Sequence, residues 1–268
     1  MNQPLMNARA RLRWWTQRAE RYGTAPEASW TDLRVMELER REILPYIVDG
    51  DRVLDVGCGN GYTTLQIARE KRVRLHGVDA VPAMIKQARR AELAGGRRPG
   101  LRGEVSFAEG DITALGGRAG RFDKVIAIRV VINLGSWREQ LAGLRECARV
   151  LKRGGLLLLS DATLQGWRNL NRLRTEWGLP EVPMPAFNLY LDEDQVASAL
   201  PDRLALVRLV NFSSTYFVTT RVLKPLLIAA TGAKLDAADP GLEWNRWCAQ
   251  LPAWGDYGTQ KLFVFRKR

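Results

Sequence analysis

Three glycines spaced two apart, Gly57, Gly59 and Gly61, follow an apolar run at 52–56 and precede a helical pattern opened by Leu65, Ile67 and Ala68. Strand, glycine loop and helix in that order make a turn suited to a nucleotide-like ligand. Glycine allows positive φ and close approach to the main chain, and the first N–H groups of the helix are free to donate. A dinucleotide pyrophosphate asks for G-x-G-x-x-G, whereas this loop reads G-x-G-x-G with Tyr62 where the last glycine belongs, so that ligand class is disfavoured. Two carboxylates join the constellation. Asp55 sits near the end of the run, and Asp79, 24 residues on, ends a second apolar run at 73–78, where its two oxygens can accept from both hydroxyls of a ribose.

Few other residues have the makings of a reaction centre. His76 is the only histidine and lies inside the second run, so a histidine base and a multi-histidine metal site are both disfavoured, and no metal is expected. Cys58, Cys147 and Cys248 are far apart and lack C-x-x-C pairing, which indicates neither a disulfide framework nor a zinc site. Ligands of open α/β sheets bind at the carboxyl ends of strands, which directs attention to Arg129, Asn133 and Leu134 after a fourth strand and to Asp161 after a fifth. Asp161 is the best candidate base, and Asn133 can orient an acceptor. WRNLNRLRTEW places Arg168, Asn169 and Arg172 near one helical face, and FNLYL and SSTYF add Asn188, Tyr190 and Tyr216. Arginines, amides and tyrosines together suit a small polar acceptor, carboxylated or phosphorylated.

The elements that must position these residues alternate along the chain. Runs at 52–56, 73–79 and 104–108 read as strands, RFDKVIAIRVVINL at 121–134 supplies a fourth and KRGGLLLLSD at 152–161 a turn and a fifth, with helices at 82–93 and 137–151 between them and AGGRRPG at 94–100 closing the first of these helices. Such alternation predicts a mostly parallel sheet covered by helices on both faces. Residues 162–200 depart from it and read as a lid inserted after strand five. A strand pattern returns at 203–212, Trp-rich helical stretches occupy 213–259, and KLFVF at 261–265 makes a final strand. Residues 1–50 form an amphipathic cover whose expected apolar face is Leu33, Met36, Leu38, Ile43 and Leu44. The division is therefore a cover over 1–50, a binding core over 51–161, and 162–268 completing the same domain.

The four pieces LDVGCGNG, GVDAVPAMIKQAR, EGDITAL and FDKVIAIRVVINL followed by RVLKRGGLLLLSD, in that order, resemble class I S-adenosylmethionine-dependent methyltransferases of the small-molecule type. The resemblance covers roughly residues 45–161. It implies a Rossmann-like sheet of seven strands with the seventh antiparallel, and S-adenosylmethionine as cofactor. By the same resemblance Asp55, Gly57, Cys58, Gly59 and Gly61 hold the amino-acid end, Asp79 and Ala80 the ribose, and Asp111, Ile112 and Met84 the adenine. Arg129 completes the pocket. WWTQRAERYG resembles a segment that closes over the sulfonium, with Trp15 and Tyr22 offering aromatic faces that attract cations. The turn Lys152-Arg153-Gly154-Gly155 departs from the family in lacking the proline often found before its glycines.

Transfer of a methyl group to oxygen or nitrogen of a small polar metabolite, of natural-product or cell-envelope sugar type, is the expected activity. The rivals are methylation of RNA or protein, and a fold that binds the cofactor as a cyclase or interaction subunit. The net charge of +12 is spread out, with short clusters at 69–74, 89–98 and 266–268 and no basic tail. Asn133 is not part of an N/D-P-P-Y/F/W motif, so nucleic acid is disfavoured. No signal-peptide pattern or membrane-spanning run is read, which points to the cytoplasm, with a homodimer compatible.

Overall fold

The computed structural model describes residues 5–93 and 100–268; of the loop read at 94–100, all but Gly100 lies outside them. In chain order the elements are α1 (Ala8–Tyr22), α2 (Leu33–Ile43), β1 (Arg52–Val56), α3 (Tyr62–Glu70), β2 (Arg74–Asp79), α4 (Pro82–Leu93), β3 (Glu104–Glu109) and β4 (Phe122–Ile128). After them come α5 (Trp137–Val150), β5 (Leu151–Ala162), α6 (Leu164–Glu176), α7 (Glu193–Ala197), β6 (Leu204–Val210), α8 (Ser214–Val218), α9 (Lys224–Thr231), α10 (Glu243–Cys248) and β7 (Gln260–Lys267).

The strands form one sheet in the order β3-β2-β1-β4-β5-β7-β6. Neighbours from β3 to β5 run parallel, and β7 is antiparallel to both β5 and β6, as expected. Central strands are apolar on both faces because each feeds two cores. Val53, Ile126, Leu158 and Val264 pack on one side, and Leu54, Val125, Leu157 and Phe263 on the other. This alternation fixes register, since a slip of one residue would exchange the two sets. The strand order reverses between β1 and β4. That reversal leaves a crevice above their carboxyl ends, where the glycine loop emerges.

Two sequence expectations need correction. The segment after β5 is a crossover as well as a lid: α6 and α7 carry the chain to β6. Between these helices the chain runs back across the strand ends, with Leu189 N–H donating to Ile132 O at 2.7 Å and Leu191 N–H to Ala162 O at 3.0 Å. The buried face of α2 is Val35, Met36, Glu39 and Ile43, while Leu33 is exposed. An acid lies on the inward face because a buried arginine and Ser160 wait there for it.

The cover is fastened at several points. Met6 N–H donates to Ala186 O at 2.8 Å. The Asn60 amide within the glycine loop donates to Gly23 O at 3.0 Å and Ala25 O at 2.7 Å, which joins the end of α1 to the loop. Asp32, capping α2, accepts from the Tyr216 hydroxyl and from Arg221 Nη2, each at 2.8 Å. Asn245 donates to the Tyr216 oxygen, and Lys224 Nζ to Asn245 Oδ1, both at 2.8 Å. Asp32, Tyr216, Asn245 and Lys224 are all buried, so this chain of polar groups ties the cover to the helices between β6 and β7.

Candidate functional site

The glycine loop turns where side chains would not fit. Gly57 has φ +72°, and a Cβ there would lie 2.5 Å from Val130 Cγ2; at Gly61, with φ +77°, it would lie 2.8 Å from the Phe107 ring. Gly61 caps α3, and the Tyr62 N–H that follows donates to Asn60 Oδ1 at 3.4 Å. Gly59 Cβ would meet nothing within 4 Å, since this glycine borders open space.

That space is a cavity of about 400 Å³ over the carboxyl ends of β1, β2 and β4. Gly57, Gly59, Asp79, Ala80, Met84, Asp111, Ile112, Arg129 and Trp15 line it, so the structure brings together nine residues expected at the cofactor. Asp79 Oδ2 accepts from Gly59 N–H at 2.8 Å and Oδ1 from Val81 N–H at 2.9 Å. One lone pair on each oxygen remains for a ligand. Burial raises the Asp79 carboxyl above its ordinary range, against the two N–H bonds that lower it. Asp111 uses Oδ1 for the N–H and hydroxyl of Thr113, at 2.7 and 2.8 Å. Buried Ile112 and Met84 supply apolar walls.

The remaining expected contacts stand back from this cavity. Asp55 is buried and accepts from the Thr64 hydroxyl at 2.6 Å, which holds the loop against the first turn of α3. Burial pushes its carboxyl up to about 7, with Asp79 adding to the effect and Thr64 opposing it. Cys58 is buried, its thiol pushed up by the same burial and by both aspartates. Tyr22 packs beside Met84 and Val81 with guanidiniums over its ring, that of Arg18 4.8 Å from the centroid.

A second cavity of about 250 Å³ adjoins the first and shares Trp15, Ser29, Arg129 and Asn133 with it. Asn188 and Tyr190, expected to bind substrate, line this chamber, together with Trp14, Trp30, Phe187 and Gln260. Trp14 stacks on Phe187 with ring centroids 4.1 Å apart, so α1 closes on the segment that precedes α7. A larger hollow of about 480 Å³ beside α2 and α3 includes neither the loop glycines nor any strand-end residue.

Four expected residues lie elsewhere. Arg168 and Arg172 are exposed on α6, and Arg172 donates to Asn169 Oδ1 at 2.8 Å. Tyr216 is in the polar chain that fastens the cover. Asp161, expected as base, is wholly buried and borders neither cavity; its Oδ2 accepts from Val131 N–H at 3.0 Å. Burial raises the Asp161 carboxyl well above its ordinary range, against the N–H bonds from Val131 and Ile132 that lower it. Asp161 shapes the turn after β4 and lines neither cavity.

Arg129 stands at the junction of the two cavities. It is the one non-glycine residue with positive φ, +51°, among the described residues. Its N–H donates to Ser160 O at 2.8 Å, its carbonyl accepts from Asn133 Nδ2 at 2.6 Å, and its guanidinium pairs with Glu39 and donates to Ser29 Oγ at 3.0 Å. Backbone strain of this kind persists where surrounding contacts over-determine it, and such positions cluster at functional sites.

Residues 53–155, which hold the glycine loop, Asp79, Asp111 and Arg129, match the model of the family described as "Methyltransferase domain". That stretch is similar to methyltransferase domains. Curated relatives of the domain include "Uncharacterized methyltransferase YdaC" of Bacillus subtilis, 37% identical over 110 residues, 41% of this chain and 55% of that protein. Another is "Ubiquinone biosynthesis O-methyltransferase" of Methylocella silvestris, 34% identical over 131 residues, 49% of this chain and 46% of that protein. The chain thus spans about half the length of each. Magnesium protoporphyrin IX methyltransferase from Synechocystis PCC 6803, solved with bound S-adenosylmethionine, shares the fold of the methyltransferase domain and its surroundings. Its TM-score is 0.59 at 15% identity, covering 100% of both chains.

Glu39, Ser29, Trp14, Phe187 and Gln260 are residues at this junction that the sequence alone does not single out. Phe187 and Trp14 had a signal, each being adjacent to a residue that was singled out; Glu39 had none, because its partner is 90 residues away.

Proposed function

We propose that this protein transfers a methyl group from S-adenosylmethionine to an oxygen or nitrogen of a small molecule. The observation that carries this reading is the pair of adjoining cavities, one over the glycine loop and one under α1, meeting at Trp15, Arg129 and Asn133.

The first cavity suits the cofactor. Gly57 and Gly59 let the main chain approach the amino-acid end. Free lone pairs on Asp79 are available to the ribose, and Ile112 and Met84 form an apolar slot beside Asp111 for the adenine. The bound cofactor supplies an activated methyl carbon on a sulfonium. Trp15 at the junction offers an aromatic face to that positive charge. Asn133, held by the Arg129 carbonyl, turns an unpartnered oxygen toward the acceptor. The protein's work is chiefly positioning and exclusion of water, since an in-line displacement at an activated carbon asks little else.

Acceptor size argues against RNA or protein. The second cavity, bordered by the Trp14–Phe187 stack, has about 250 Å³ and suits a small molecule, whereas a polymer needs a long groove. Calorimetric titration with S-adenosylmethionine and its demethylated product tests the cofactor reading, with Asp79→Ala as control. Binding in the micromolar range, lost in the variant, is expected. Absence of binding to both compounds would overturn the proposal. Binding without methyl transfer across a panel of small acceptors would favour the cyclase or interaction-subunit alternative.

A further inference from the structure

We propose that the second chamber takes a planar aromatic acceptor with an acidic hydroxyl, held as its phenolate against Arg129. The inference rests on the methyltransferase reading above and names the substrate class of the same site.

The walls set the shape. Trp14, Trp15, Trp30, Phe187 and Tyr190 surround a space of about 250 Å³, so a flat ring finds stacking and edge contacts on several sides. A sugar would instead leave these faces against hydroxyls that need polar partners. The polar groups set the chemistry. Among the lining residues are no carboxylate, histidine or thiol. The Tyr190 phenol is pushed up to about 12 by burial, so it is no base near neutrality. Every charged lining residue, Arg18 and Arg129, is cationic. An ammonium finds no carboxylate partner among these lining residues, and a hydroxyl must lose its proton without help from one.

Arg129 provides the anchor. Its side chain is 12% exposed, and its buried Nε has no partner although Nη1 and Nη2 are engaged by Glu39 and Ser29. The acids facing Arg129 are Glu39 from α2 and Asp161 from β5. Burial raises the Asp161 carboxyl, and Glu39 is the acid that makes the ion pair with the guanidinium. Burial lowers the guanidinium to about 10, which leaves it cationic at neutral pH. Asn133, Asn188 and Gln260 each bring a buried amide oxygen without a partner, ready for further O–H or N–H groups on the ring. In the transfer, a lone pair of the phenolate oxygen forms the C–O bond to the methyl carbon. The C–S bond breaks with its electron pair left on sulfur, giving a neutral thioether. No proton moves in this step, because the hydroxyl proton has already gone to solvent.

The test is titration of 4-nitrophenol with the full chain in the absence of cofactor, reading phenolate absorbance against pH. Expected is an apparent acidity of the bound phenol raised about tenfold or more over the free compound, the size of effect a nearby cation produces. Arg129→Lys, which keeps the charge, should retain most of the shift. The double variant Glu39→Gln with Arg129→Met, which leaves no unpaired buried charge, should lose it. Phe187→Ala should weaken binding while keeping the acidity shift. With cofactor added, the pH at which kcat/KM levels off should track the acidity of each phenol in a substituted series. An unshifted or weakened acidity, or tighter binding of benzylamine than of 4-nitrophenol, would overturn the proposal. So would absence of 4-nitrophenol binding in a protein that binds S-adenosylmethionine, and that result would leave the methyltransferase reading standing. Shifted 4-nitrophenol binding without cofactor binding would do the reverse.

Discussion

Glu39 of α2 and Arg129 at the end of β4 form a buried ion pair between the cover and the sheet, and Ser160 donates to the free oxygen of Glu39 at 2.5 Å. Glu39 is 2% exposed, so its charge and that of Arg129 are both largely removed from water. Removal of one partner leaves the other without compensation. Glu39→Gln is expected to destabilise the protein by about 3–5 kcal/mol in urea denaturation, and replacement of both residues by apolar ones to cost clearly less. Equal losses in the single and double variants would show that the pair is not the source of the effect.

Asp55 makes stability depend on pH in a defined window. Its carboxyl ordinarily titrates at 3.8 and is raised by burial to about 7 in the folded protein. A raised value means that folding favours the protonated form, so the associated stability is present below about pH 4 and is lost as pH rises to about 7. Asp55→Asn keeps an acceptor for Thr64 and carries no charge. Its melting temperature without cofactor should therefore gain on that of the parent as pH goes from 4 to 7, then run parallel. A gap independent of pH over this range would contradict the assignment.

The three loop glycines are not equivalent. Gly57→Ala places a methyl 2.5 Å from Val130 Cγ2 in addition to an unfavourable φ, and should cost about 2 kcal/mol or more in stability together with cofactor binding. Gly59→Ala meets nothing within 4 Å and incurs only the backbone term, about 1–2 kcal/mol, while its methyl projects into the cavity. The expected result is a protein that folds but binds S-adenosylmethionine weakly. Thermal melts with and without cofactor separate the two cases.

Acceptor recognition should follow the chamber and not the arginines of α6. Arg168→Ala and Arg172→Ala alter exposed side chains and are expected to change stability by no more than about 0.5 kcal/mol, with KM for the acceptor unchanged. Asn188→Ala should raise that KM, with the cofactor KM unaffected. A raised acceptor KM in either arginine variant would return the acceptor to the surface of α6.

The sheet was legible because its signals are local. Period-two alternation, strand-end aspartates and the glycine spacing each lie within a short window, and the strand order follows from crossovers of ordinary length. The first cavity was legible for the same reason, with most of its lining drawn from β1, β2, β4 and the turns that follow them. Asp161 misled because position at a strand end says nothing about direction: its side chain turns under the loop to Val131 and away from solvent. Tyr216 and the α6 arginines had a suitable composition, but no local pattern tells a wall of a cavity from a core or a solvated face. The second chamber is assembled from α1, the turn after β4, residues 185–190 and the start of β7. No single stretch of sequence contains it.

Asp32 and Tyr216 lie 184 residues apart, and with Asn60 and Ala25 they determine when the roof over both cavities can be set in place. Closing so long a loop is entropically costly until the contacts that reward it exist, so the sheet core can assemble while the cover still samples other positions. On a ribosome the cover must wait for the helices between β6 and β7 to emerge, although α1 and α2 are made first. The strand-end walls from β1, β2 and β4 are thus made before the residues that anchor the cover, and Thr259 and Gln260 of the second chamber are made after both.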